Sequence, residues 1–385
     1  MYLTTADTNP LSGFNGENPV NQVNRLDYLD AARGIAAIMV FFYHYLGWRW
    51  HESHKIAVNV LSLIFNGSDA VSFFFVLSGM VLSYKYLNLN ASLDIRRFYI
   101  NRVFRLWPAY CFTIITCFLV GYRNSLNGET FKYIFIDDNT RFYEELSLLW
   151  AKGHNHFIAG WTLSIEMFLS LFTPFAIILA KYHRKVLLWL SLCLMLSLPL
   201  ISQFYIHFTL GIIVSAWFDD IRSDHFKTTA AYKYRHILLL LAFVLFSIRH
   251  IDSISPLGPS YKYFADVIRL DFFTYTAVAS FIFLCYIVRS DKLQRILGHS
   301  IFRFYGRISY GVYLMHWVVV SFTFEYWTTI RTHIPGKWTA PIVMLLACFA
   351  ITTILAVGVY YMIEKPFIRL GRSITKKLKP SFLIR

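Results

Sequence analysis

Apolar residues run along this chain in long blocks, and the interruptions between them are short and cationic. A helix crossing a bilayer needs about 20 mostly apolar residues. Blocks that meet or approach this length are 29–46, 69–84, 107–120, 161–179, 186–201, 204–218, 237–248, 272–288, 308–324 and 340–363. Several are short and imply tilt or extension into the flanks; 237–248 is the weakest. The block 56–65 is too short to span and reads as interfacial or re-entrant. The pattern predicts an all-α polytopic helix bundle with about ten transmembrane helices. The first 26 residues are polar, rich in Asn and Gly, and have no basic segment leading into an apolar one. They are expected to be a flexible cytosolic tail and not a cleaved signal.

Composition supports a lipid-embedded chain. Of 385 residues, 56% are hydrophobic and only 15% charged, against about 25% charged in an average soluble domain. The net charge of +15 would point a polar protein towards nucleic acid. A mostly lipid-facing chain offers little surface for that, so nucleic-acid binding is set aside. The cations instead alternate between loops. With the N-terminus inside, the inner segments hold Lys85, Arg96, Arg97, Arg102 and Arg105, then Lys181 to Lys185, Arg222 to Arg235, Arg289 to Arg303, and Lys365 onward. Outer segments hold scattered ones. This positive-inside bias predicts cytosolic termini and an even number of spans. The five cysteines all lie in apolar stretches without metal-ligand spacing, so no disulfide framework and no metal site are expected.

The most informative block is the first. Arg33 and His44 stand eleven steps apart within it. At about 100° per residue His44 returns to within about 20° of Arg33, about 16 Å further along one face. Arg33 then sits near the cytosolic water and His44 deep in the bilayer. Ionisable groups inside a span point to function. The plainer readings are a snorkelling arginine and a hydrogen-bonded core histidine. Asp30, three residues before Arg33, is placed to pair with it.

Six stretches, in order, carry a resemblance. They are the Arg-x10-His spacing in LDAARGIAAIMVFFYHY; SFFFVLSGMVLSY with Ser78 and Gly79; INRVFRLWPAY with Arg102, Arg105 and Pro108; GWTLSIEMF with Trp161, Ser164 and Glu166; GRISYGVYLMHW with Ser309, Tyr310, Tyr313 and His316; and IEKPFIRLGR, beginning near Glu364. Together they resemble the acyltransferase 3 family of membrane acyltransferases, over nearly all of the chain after Leu26. One departure concerns the Gly-Val-Asp that members often carry before the Phe-Phe pair. Here those places read Ala70, Val71 and Ser72, with an acid three residues earlier at Asp69.

The resemblance implies an enzyme that takes an acyl group from cytosolic acyl-CoA, most simply acetyl-CoA, and places it on a hydroxyl of a cell-surface or lipid-linked glycan, with no permanently bound cofactor. It implies a transmembrane acyltransferase domain over 27–368, followed by a basic cytosolic tail over 369–385, in the inner membrane of a bacterium. His44, Glu166 and Arg33 are the expected catalytic residues, with neutral His44 as general base because imidazole titrates near neutrality. Arg33, Arg102, Arg105, Arg96 and Arg97 are expected to meet the anionic donor, since guanidinium pairs bidentately with phosphate. The plainer reading for Arg96 and Arg97 is a contact with anionic lipid headgroups. Trp161, Arg269, Asp271 and His316 are expected around the acceptor; Ser78, Gly79, Ser309 and Tyr313 are motif positions with a structural part. Ser164 and Ser78 are conceivable nucleophiles, although serines in spans usually bond backbone carbonyls. His154 and His156 form an HxH too small for a metal site. The rival reading is a transporter or flippase for a lipid-linked saccharide, which calls for internal repeats that the sequence does not show.

Overall fold

The computed structural model describes residues 27–49, 61, 64–122, 142–148, 157–197, 203–254, 272–334, 339–379 and 383–384. Its long helices are α1 (Asp27–Arg49), α2 (Gly67–Leu87), α3 (Ile95–Tyr122), α4 (Gly160–Ser197), α5 (Gln203–Ala216), α6 (Arg235–Ile254), α7 (Phe272–Arg289), α8 (Ser300–Glu325), α9 (Thr339–Val359) and α10 (Lys365–Lys377). Short helical turns join several of them. The sole strand pairing among the described residues is a two-residue antiparallel contact, Leu93 with Ile384 and Asp94 with Leu383.

Among the described residues, four helical stretches are long and apolar enough to cross a membrane: Gly67–Leu87, Ile95–Val120, Gly160–Cys193 and Thr339–Lys377. Their outer faces carry the exposed apolar side chains that lipid would cover, among them Phe175, Trp189, Leu346 and Ile354. The chain is an integral membrane protein built of helices. The block 161–179 and the described part of 186–201, residues 186–197, fall on the single element α4, which breaks at His183 (φ −141°, ψ 56°). The weak block 237–248 lies inside the longer α6. Of 56–65, only Leu61, Ile64 and Phe65 are described.

One expectation is corrected. Arg96, Arg97, Arg102 and Arg105 do not lie in an inner loop. The helix begins at Ile95, so all four are on α3, and Arg102 is buried. The backbone of Arg97 donates to the Asp94 carboxylate at 3.0 Å, which satisfies one N–H in the helix's first turn. Of the segment 369–385 expected as a basic tail, residues 369–377 are helical. After Val359 the helix passes through one π-helical stretch, Tyr360–Glu364, and continues as α10. There Gly371 lies so close to Phe104 of α3 that an added Cβ would meet its side chain at 2.7 Å.

Glycine-mediated crossings bring helices of the bundle into close contact. A Cβ on Gly34 would stand 2.6 Å from the Gly306 nitrogen, and one on Gly306 would stand 2.5 Å from the Asp30 carbonyl carbon. Only glycine lets α1 and α8 approach so closely, as small residues do at helix interfaces in membranes. Gly79 against Phe208 and Gly211 against Val76 make another such crossing, between α2 and α5.

Contacts also give relative directions. Gly34 lies by Gly306 and His44 by His316, so α1 and α8 run parallel. Phe75 meets Phe204 while Tyr84 meets Phe218, so α2 runs parallel to α5. Tyr99 meets Leu171 and Tyr110 meets Phe157, so α3 opposes α4. Phe246 meets Phe283 and His236 meets Tyr286, so α6 opposes α7.

Candidate functional site

A cavity opens between α1, α2, α3, α4 and α8. The space between them is about 710 Å³ when the open solvent at its mouth is included. Most of its wall is apolar, and its charged residues are Arg33, Arg102, Arg105 and Glu166.

Arg102 is buried, and two of its guanidinium nitrogens have partners. Nε donates to Ser170 Oγ at 2.9 Å, and Nη2 makes a very short charged hydrogen bond to Glu166. The same Glu166 oxygen accepts from Ser78 Oγ at 3.1 Å, and Ser170 Oγ donates to the Glu166 backbone carbonyl at 2.6 Å. Glu166 therefore belongs to a charge-paired knot that ties α2, α3 and α4 together, and its carboxylate does not lie on His44. Ser78 spends its hydroxyl on that carboxylate. Ser164, the other conceivable nucleophile, is not among the cavity's wall residues.

Arg33 donates to Asp30 at 2.7 Å across one helical turn, the pairing their spacing predicts. Arg105 lies in the cavity wall, is exposed, and has no salt-bridge partner among the described residues. Of the five arginines expected to meet the donor, the structure gathers three. Arg96 and Arg97 are not in the cavity wall. Arg96 is exposed, and Arg97 pairs with Asp94 and donates to the Leu378 carbonyl at 2.7 Å.

Ser309, Tyr310 and Tyr313 form the α8 side of the cavity. Ser309 Oγ bonds back to the Gly306 carbonyl at 2.9 Å, and Tyr310 OH donates to the Leu106 carbonyl at 2.7 Å. Tyr313 OH lies 2.5 Å from Thr162 Oγ1 and donates to the Ala159 carbonyl at 2.9 Å. Its ring also packs against His316, with centroids 5.5 Å apart.

His44 lies beyond that ring. It is not one of the cavity's wall residues. His44 Nδ1 is 3.2 Å from His316 Nε2 and 3.1 Å from the Val40 carbonyl oxygen, and its ring meets Trp317 edge-on. Trp317 is buried beside the histidine. No group of three or more His, Cys, Asp or Glu that could hold a metal is found among the described residues. α1 and α8 thus pack along a seam with Arg33 in the cavity wall at one end and the His44–His316 pair, outside that wall, at the other; Tyr313 lines the cavity and packs on His316.

Trp161 is half-buried against Phe204, away from the cavity wall. Arg269, Asp271, His154 and His156 lie outside the described residues. The contact between His44 and His316 was not foreseen. The parallel placement of two distant helices creates it, and no local sequence pattern signals it.

A membrane-embedded helix bundle with a cationic cavity at one end of a seam and a pair of facing imidazoles at the other is an arrangement suited to group transfer. Residues 26–361 match the model of the acyltransferase 3 family, an acyltransferase domain. The chain belongs to that family and is an acyltransferase. No curated protein and no solved structure matches it.

Proposed function

We propose that this enzyme moves an acyl group, acetyl in the simplest case, from cytosolic acyl-CoA to a hydroxyl of a cell-surface or lipid-linked glycan, across a bacterial inner membrane. The observation that carries the proposal is the single α1–α8 seam, which begins at Arg33 and ends at His44. Acyl-CoA is large and anionic and docks from the cytosol. Arg105 is the cation best placed for its phosphates, because Arg102 and Arg33 already have carboxylate partners. The thin pantetheine arm threads the apolar cavity, and the acyl end reaches His44 once the Tyr313 ring turns aside.

There neutral His44 takes the proton of the acceptor hydroxyl as that oxygen attacks the thioester carbonyl. The new C–O bond forms, the C–S bond breaks, and the proton passes on to the departing CoA thiolate. Transfer is direct in this scheme. Ten crossings with both termini in the cytosol suit it: counting the apolar blocks as crossings makes α1 and α8 the first and ninth, α2 and α5 the second and sixth. Both pairs must then be parallel, and they are.

The test is to supply acetyl-CoA labelled in its acetyl group to inside-out vesicles carrying the protein. Label should appear in glycan on the lumenal side, and should not appear with His44→Ala. Glycan that stays unlabelled while wild-type protein is folded and CoA-bound would overturn the proposal.

A further inference from the structure

His316 is fully buried and absent from the cavity wall, so it is poorly placed to hold an acceptor. Its two nitrogens nevertheless have defined neighbours. Nδ1 lies 2.5 Å from the Tyr313 carbonyl oxygen. A carbonyl only accepts, so Nδ1 carries the hydrogen, and in the neutral ring Nε2 is left as a lone pair. That lone pair faces His44 Nδ1 at 3.2 Å. The other polar atom beside His44 Nδ1 is the Val40 carbonyl oxygen, again an acceptor, at 3.1 Å. Both neighbours of His44 Nδ1 therefore require a proton on it. The neutral ring then has its lone pair on Nε2, the only nitrogen from which it can act as a base.

We propose that His316 is a positioning residue: it holds His44 in the tautomer protonated at Nδ1, with Nε2 bare for the acceptor hydroxyl. The assignment rests on the reading of His44 as general base. In the reaction the hydroxyl proton goes to His44 Nε2, and the ring becomes an imidazolium. Its Nδ1–H is then a charged donor to His316 Nε2, which strengthens that bond as positive charge develops. The proton leaves again from Nε2 to the CoA thiolate, and His316 neither gains nor loses one. A base oriented by a third group is a recurrent arrangement in nucleophilic catalysis. Here the orienting group is a neutral imidazole in place of the usual carboxylate. A carboxylate would add an uncompensated buried charge at this depth, whereas the imidazole pair adds none.

The test uses purified full-length protein in lipid bilayers with ¹⁵N-labelled histidine, His44 being assigned by its loss in His44→Ala. Nitrogen NMR separates protonated from bare ring nitrogens. The wild type should show His44 protonated at Nδ1 and bare at Nε2. His316→Phe leaves only the Val40 carbonyl to hold Nδ1–H, so the share of the other tautomer should rise, together with a kcat lowered about 10–100-fold, the range found for partners that orient metal-bound histidines, and an unchanged KM for acetyl-CoA. His316→Gln, whose amide oxygen can accept from Nδ1, should recover much of the kcat. A wild-type His44 protonated at Nε2 would overturn the inference, as would a folded His316→Phe that keeps wild-type kcat while His44→Ala is inactive. The separate result of an active His44→Ala would overturn the base reading itself. Should His316→Phe fail to fold, the wild-type tautomer and the His316→Gln rate still decide.

Discussion

At the scale of single residues, the arginines that look alike in the sequence have different work. Arg102 and Arg105 are three residues apart on α3 and share a motif, so both read as phosphate ligands. Burial separates them. Arg102 is bonded to Glu166 and Ser170, while Arg105 reaches the cavity mouth without an ion-pair partner among the described residues. Removing one member of a buried pair leaves an uncompensated charge and costs about 3–5 kcal/mol, whereas replacing both by apolar residues is often far milder. Glu166→Ala should therefore lower the thermal midpoint in detergent markedly, and Arg102→Met combined with Glu166→Leu should restore much of it. If Glu166→Ala melts like wild type, the knot is not structural. Arg105→Ala should behave oppositely. Its melting should be unchanged, and its KM for acyl-CoA should rise about 10–100-fold, the worth of one charge-assisted contact. Spacing alone exposed Arg33 and His44, because both lie on one helix. It did not expose the Glu166–Arg102 pair or the His44–His316 contact, because each joins helices far apart in the chain.

At the scale of elements, the apolar blocks marked the helices well but not their ends. A cationic run after an apolar block reads as a loop, and the start of α3 at Ile95 shows how it can be the first turns of the next helix. At α10 too the basic residues continue a helix, with Gly371 packed against Phe104. The glycines give a sharp contrast for experiment. In a helix interior Gly→Ala ordinarily gains about 0.5–1 kcal/mol. Gly358 has open space around its missing Cβ, so Gly358→Ala should melt at or slightly above wild type. Gly34→Ala pushes a methyl into the α8 backbone, and overpacking of that kind costs about 1–3 kcal/mol, so its melting point should fall. Equal midpoints for the two variants would contradict the close α1–α8 crossing.

Outside the membrane, Arg222 donates to Asp291 at 2.7 Å. That hydrogen bond, with the charges of Arg222, Arg289 and Arg295, holds the Asp291 carboxyl below its ordinary value. A depressed carboxylate lends stability above its unfolded pKa, about 4, and that contribution is lost as pH falls through the lower folded value. Asp291→Asn should thus melt slightly below wild type at pH 7, and the gap should close in acid. The group is largely exposed, so the effect is small and weakens with salt. A gap that widens as pH falls would contradict the pairing.

At the scale of the whole molecule, the seam between α1 and α8 matters most. Two helices distant in the chain are brought parallel and almost touching by Gly34 and Gly306. That approach sets Arg33 beside Ser309 and Tyr310, and His44 against His316 and Trp317. The most direct test uses an acyl-CoA whose acyl end carries a photoreactive diazirine, bound to the protein in liposomes, illuminated and mapped by mass spectrometry. The account expects adducts on α1 between Val40 and His44 and on α8 between Tyr313 and Trp317, competed away by acetyl-CoA. Competable adducts confined to the cytosolic turns, with none on either of those helix segments, would contradict it.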